Sequence, residues 1–321
     1  MKNYINKIKY KINLELGKTP KTKATTADGK FSFYDWGEDY NPEDNWFVRF
    51  AKHNLLSIDK KFNFYGVYGK GRFVRKTIEG KKIFFSPENL DKKFMKWNIL
   101  FGDYCLPYVD LGMGFGDIKK DNYLRFPLWI LYLFSPEANK KDVESTIDKI
   151  NNTRYQKLKI CALIAGHDKH GTRKMLLDGI KDVIPVDCAG KWENNTEDLW
   201  NKYNNDKIEY LKQFKFNICP ENINTKNYVS EKLFEAFVAD TIPIYYGSDN
   251  DPEPGLINKD AVVFWYKNSS NDKARKLIKE LCVDDNAYSD FIKQKKILPA
   301  ATDYIWSRYE ELKQRLEVMN E

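Results

Sequence analysis

Apolar residues at Leu233, Phe234, Phe237 and Val238 recur every three or four positions, the spacing of an amphipathic helix. On either side the rhythm changes. Residues 214–219 (F-K-F-N-I-C) alternate as a strand does, and 241–247 form a β-branched and aromatic run closed by Gly247. The pattern predicts strand, polar loop, helix and strand. Upstream and downstream the alternation continues, with strands expected at 158–164, 183–186 and 261–265 and helices at 172–180 and 197–212. C-terminal helices follow, the last over 301–319. This order argues for a doubly wound parallel sheet.

The N-terminal half is less regular. Strand-like runs occur at 31–36, 62–68, 82–86 and 97–101, with helical patterning around 44–54 and 123–134. Residues 17–30 are rich in Gly, Pro and Thr and read as loose chain. The segment 135–156 is charged and opens on Ser-Pro, so a domain boundary is placed inside it, dividing the chain into 1–150 and 151–321.

At 321 residues the chain is long enough for two domains, and 42% hydrophobic with 15% aromatic content says globular. Lys and Arg total 53 against 46 Asp and Glu, a net charge of +7. That excess is compatible with an anionic nucleotide or with peripheral contact to an acidic membrane face, and specifies neither. A nucleic-acid reader would concentrate its charge on one face, whereas these lysines are spread among the acids; non-catalytic nucleic-acid binding is kept only as a rival. Five cysteines with no C-x-x-C pair read as free thiols in a reducing compartment. No run approaches the roughly 18 apolar residues a membrane span needs. The basic N-terminus is broken by polar residues, so the reading is a soluble, cytoplasmic protein.

The chemistry gathers where strands give way to helices. Ser230 is the expected N-cap of the helix carrying Leu233, and a helix start after a parallel strand suits a phosphate. Lys232 adds a full charge there, while Asn222 and Tyr228 on the incoming loop are placed to grip a sugar or base. The plainer alternative is an ordinary βαβ unit with a surface lysine. Arg173 follows strand 158–164 at the next helix start, where a guanidinium suits a phosphate. Glu88 ends the run I-F-F-S-P and should lie at a strand's carboxyl edge, within reach of a sugar hydroxyl as a base, or as a simple turn carboxylate. Gly112, Gly114 and Gly116 do not continue as G-x-G-x-x-G into a helix and read as a flexible loop. His167 and His170 make an H-x-x-H pattern too poor in partners for a metal centre. Asp249-Asn250-Asp251 has D-x-D spacing but a turn's composition, so no essential divalent metal is expected. Trp36 and Trp46 are candidates for a sugar-stacking groove, though core packing is the commoner use of such aromatics.

Glu221, Asn222, Tyr228, Val229, Ser230, Glu231, Lys232, Thr241, Ile242, Pro243, Ile244 and Gly247 stand in an order and spacing that resembles the donor signature of family-10 glycosyltransferases, the α-1,3/1,4-fucosyltransferases. Pro220 departs from it, since the family has an aromatic there. Weaker matches surround Glu88-Asn89, F-G-D-Y at 101–104 and Y-L-R-F-P at 123–127, with Lys92-Lys93-Phe94 standing where the family has P-N-F. The resemblance implies a GT-B-like α/β fold: two Rossmann-like domains facing a central cleft, the first binding acceptor and the second donor, with C-terminal helices. It implies an inverting transfer of fucose from GDP-fucose to an oligosaccharide or glycoconjugate hydroxyl, needing no cofactor, in a soluble enzyme of bacterial or viral type. Glu88 would be the base, Lys232 and Arg173 would meet the diphosphate, Glu231 would hold sugar or ribose hydroxyls, and Asn222 and Tyr228 would orient the nucleotide. Where the family has a second Arg this chain has Glu193; Lys191 is the expected substitute, and another nucleotide sugar is the alternative donor.

Overall fold

A computed structural model describes residues 2–37, 40–69, 72–90 and 101–321. The chain forms two compact units, one of Met1–Asn139 with Ile305–Glu321, the other of Lys140–Tyr304. The first junction, between Asn139 and Lys140, lies inside the segment 135–156 but ahead of residue 150, and Ile305–Glu321 returns to the first unit. Residues 135–156, read as a boundary, hold a helix, Lys140–Asn152, whose Val143, Ile147 and Ile150 are buried in the second unit. The last helix, Ala300–Asn320, brings its later turns to the first unit, where the Tyr309 ring packs on Trp46, Phe50 and Phe126.

The first unit is built on a six-stranded sheet whose spatial order follows the chain: β1 (Lys23–Thr25), β2 (Phe31–Tyr34), β3 (Phe62–Tyr65), β4 (Lys81–Phe85), β5 (Leu111–Gly114) and β6 (Tyr123–Arg125). β1 runs antiparallel to β2; every other pair is parallel. Three expectations are corrected here. The loose stretch 17–30 contains edge strand β1, anchored where the Asp35 carboxylate accepts the Lys21 and Thr22 N–H groups. The helix expected over 123–134 is strand β6 followed by the helix Leu128–Leu133, because Pro127 ends the ladder and opens the helix. Of the glycine run, Gly112 and Gly114 are no flexible loop but part of the buried interior strand β5, while Gly116 lies just beyond it. A Cβ on Gly112 would lie 2.6 Å from Leu106 and one on Gly114 2.3 Å from the Tyr104 ring, so glycine makes room for that ring against the sheet. The strand-like run at 97–101, apart from Phe101, and Lys92-Lys93-Phe94 lie outside the described residues.

The second unit carries β7 (Lys159–Leu163), β8 (Val186–Cys188), β9 (Phe214–Ile218), β10 (Ile242–Tyr245) and β11 (Val263–Phe264), all parallel, in the order β11-β10-β9-β7-β8. Leu163, Phe216, Ile218, Ile242 and Ile244 pack with Leu176 and Ile180 from the helix Thr172–Ile180 in one buried cluster. The strand expected at 183–186 begins only at Val186, since Val183 and Ile184 still turn back onto Ile180 and Pro185 has no N–H to pair. The helix expected over 197–212 is broken into Asp198–Asn201 and Lys207–Leu211, because Asn204 and Asn205 take left-handed backbone at φ 49° and 63°.

Beneath this sheet lies a buried ion pair that no local pattern announces. Lys296 and Asp240, each 2% exposed, meet at 2.6 Å; Arg154 and the Tyr155 N–H also reach the Asp240 carboxylate. Asp240→Asn keeps the residue type tolerant of its left-handed φ of 56° while stranding the ammonium. We expect it to cost about 3–5 kcal/mol, read as a lower urea midpoint with an unchanged m-value.

Candidate donor site at the strand-order reversal

The strand order of the second sheet reverses between β7 and β9, and open α/β sheets bind ligands beyond the carboxyl ends of the strands at such a reversal. A cavity of about 40 Å³ lies there, lined at the strand ends by Ile164 and by Asn217 to Pro220, and by the side chains of Arg173, Lys207, Glu231, Lys232 and Glu235. A cavity of about 610 Å³ opens beside β11, where Lys273 is the only lining cation among the described residues, against Arg173, Lys207 and Lys232 at the reversal.

Lys232 sits in the first turn of the helix Glu231–Val238, whose apolar Leu233, Phe234 and Phe237 are buried and so turn the opposite side toward the cavity. Its ammonium lies 2.9 Å from Ser230 Oγ, 3.3 Å from Glu231 Oε1 and 3.9 Å from Glu221 Oε2. Burial opposes its charge, but Glu231 and Glu221 together hold Lys232 above its ordinary value. Burial likewise raises Glu231, yet the Lys232 ammonium prevails and holds that carboxyl below the usual range. Ser230 stands at the expected N-cap position but makes no side-chain cap bond: its hydroxyl accepts from Lys232.

Arg173 is buried beside this cluster. It donates to His167 O at 2.6 Å and to Asn222 Oδ1 at 2.6 Å, so Asn222 works here as the partner that aims the guanidinium. Desolvation pulls Arg173 below its usual value, against Asp168, Glu221, Tyr228 and Glu231. Asp168 accepts the N–H groups of Arg173 and Lys174 and closes that helix start, while His167 and His170 are exposed. Tyr228 is buried, 3% exposed, and feeds the same electrostatic cluster.

The structure thus brings together Arg173, Asn222, Tyr228, Glu231 and Lys232. Lys191 is exposed on the loop after β8 and does not line the cavity; Glu193, equally exposed, holds φ at 50°. Asp249 and Asp251 are engaged in a turn, with Asn224 and Lys259 respectively. Three charged residues were missed: Glu221, and Lys207 and Glu235, which line the cavity. Glu221, completely buried, was visible in the sequence only as a motif position, and Lys207, from the helix Lys207–Leu211, carried no signal beyond its neighbour Asp206, which caps that helix.

Glu88 belongs to the first unit, half-buried three residues past the end of β4, where Ser86 Oγ bonds both its N–H and its carbonyl. Tyr68, just past the neighbouring β3, is raised first by burial and then by Glu88. Past β2, Trp36 stacks on Phe85 and, with Phe33, Gly37 and Tyr40, lines a cavity of about 510 Å³. Trp46 is core: its indole N–H donates to Phe134 O, and its ring packs on Phe47, Phe50 and Phe126.

Two α/β units with parallel sheets and C-terminal helices make a fold of the GT-B glycosyltransferase type. The fold agrees with the crystal structure of an α1,3-fucosyltransferase with GDP-fucose at a TM-score of 0.57 and 19% identity, over 94% of this chain and 96% of that one. The model of glycosyltransferase family 10 (fucosyltransferase), C-terminal part, matches residues 153–317, and that of the α-(1,3)-fucosyltransferase FucT N-terminal domain matches 31–132. The chain belongs to glycosyltransferase family 10. It is 27% identical over 250 residues to α-(1,3)-fucosyltransferase FucT of Helicobacter pylori, covering 70% of this chain and 49% of that protein. Over 207 residues it is 27% identical to the putative fucosyltransferase R654 of Acanthamoeba polyphaga mimivirus, covering 61% of this chain and 31% of that protein. The chain therefore spans about half the length of these curated relatives or less. Among the described residues no helix is long and apolar enough to cross a membrane.

Proposed function

We propose that this protein is an inverting glycosyltransferase that moves fucose from GDP-fucose to a hydroxyl of an oligosaccharide or glycoconjugate, in α-1,3 or α-1,4 linkage. The observation that carries this reading is the pairing of Lys232 and Arg173 at the strand-order reversal, each held by a neighbouring polar side chain. The acceptor oxygen attacks the anomeric carbon in line, its proton passes to Glu88, and the bond to the β-phosphate breaks with its electron pair leaving on GDP. Lys232 and Arg173 meet the charge that develops on the diphosphate, which in a desolvated site is worth several kcal/mol. Glu231 and Tyr228 hold hydroxyls of the donor, and Asn222 aims Arg173. The acceptor enters on the unit that carries Glu88, with Trp36 as a stacking face. No divalent ion is needed, because the cations of the chain do the work a metal does elsewhere. Four buried thiols and a fifth, half-buried one suit the reducing cytoplasm of a bacterial or virus-infected cell.

A second reading keeps the scaffold and changes the donor, because Glu193 puts a negative charge where the family has an arginine. GDP-, UDP- and dTDP-sugars compared by thermal stabilisation and by transfer separate the two. We expect GDP-fucose to raise the melting temperature most and to be consumed with or without a chelator. Stabilisation by a UDP- or dTDP-sugar alone transfers the case to the second reading.

A further inference from the structure

Glu221 is the one carboxylate of the donor cluster with no exposed surface at all. It ends no ordinary turn. Its Oε1 accepts the Ser230 N–H at 2.8 Å and the Tyr245 hydroxyl at 3.3 Å. Its Oε2 is buried without a hydrogen bond and lies 3.9 Å from the Lys232 ammonium. The backbone is shaped around it, since a Cβ on Gly247 would come within 2.5 Å of Glu221 Cγ. Burying a carboxylate is costly unless it is paired, so the arrangement persists only because one side holds the backbone entering the helix and the other faces the lysine. A glutamine in the same place presents an acceptor to Ser230 or to Lys232, and a donor to the other. Only a carboxylate serves both.

We infer that Glu221 is a positioning residue for the proposed donor site: it sets the start of the helix Glu231–Val238 and the Lys232 ammonium in one fixed relation, and acts on the diphosphate through that lysine. The inference rests on the donor site assigned above. Ionisation of Glu221 is then a condition of full donor affinity. Burial raises its titration, with Lys232 and the Ser230 N–H opposing, so affinity should fall as pH drops through that raised value. Facing it are Lys232 and Glu231 from the helix, Arg173 from the helix Thr172–Ile180, and Tyr245 and Cys219 from the strand ends.

GDP affinity of the full chain, measured by calorimetry between pH 5 and 9, tests this in Glu221→Gln, Lys232→Ala and the double variant. We expect Glu221→Gln to weaken GDP binding about tenfold and to lose the acid limb that separates it from wild type, while the double variant binds no worse than Lys232→Ala. Unchanged or tighter binding by folded Glu221→Gln, or effects that add in full, overturns the inference and leaves the donor site standing. If Lys232→Ala binds GDP as wild type does, the donor site itself is wrong. Should Glu221→Gln not fold, Tyr245→Phe serves in its place: it removes a hydroxyl that steadies the carboxylate, so the acid limb should move to higher pH with the neutral plateau kept. A profile that stays put overturns the inference.

Discussion

Lys232→Ala should lower kcat/KM for the nucleotide sugar about 10²–10³-fold, the usual cost of removing one preorganised group that meets charge in the transition state. The ammonium sits in the first turn of a helix whose other side is locked into the core by Leu233, Phe234 and Phe237, so it has little freedom to be anywhere else. Its held position means that no reorganisation is required when charge develops on the leaving phosphate. Lys232→Arg should not rescue, since a planar guanidinium fork does not replace a compact point charge held by Ser230 and Glu231. The measurement is GDP release with donor and acceptor present. Turnover near the wild-type rate for the alanine variant would remove Lys232 from the mechanism.

Glu88→Gln should separate binding from chemistry. The amide keeps the size of the side chain but cannot accept the acceptor's proton, so transfer should fall about 10²–10⁴-fold while GDP still binds with its wild-type affinity. The physical basis is placement: Glu88 is in the first unit, with its backbone tied by Ser86, whereas Arg173 and Lys232 are in the second. Loss of GDP affinity with transfer intact would reassign Glu88 to the donor.

Much of the donor unit was legible because its signals are local. The 3–4-residue spacing of Leu233, Phe234 and Phe237 and the alternation of Phe214 to Ile218 follow from side-chain geometry along a single element, and both elements formed where expected. Arg173 and Lys232 could be picked out because helix starts after parallel strands suit a phosphate, and Glu231 through the resemblance. The failures have an equally physical source. Gly112 and Gly114 read as a flexible loop because glycine alone says only that a side chain is absent. That the space is filled by Tyr104, eight and ten residues earlier, is a packing fact. Lys191, expected through the resemblance to stand in for the arginine that Glu193 replaces, lies exposed on the loop after β8.

By itself the sequence determined the alternation of strands and helices in the second unit, the family, and which charged residues open which helices, since each depends on neighbours a few positions away. Tertiary structure alone decided the rest. It set the reversal between β7 and β9 that brings Arg173 to Asn222, 49 positions apart, and the burial of Glu221 against Lys232. It also set the pairing of Asp240 with Lys296 and the early breaks in the helices near Asn204. The reason is desolvation: whether a charge is a surface ornament or a fixed part of a site depends on what covers it, and coverage comes from segments far away in the chain.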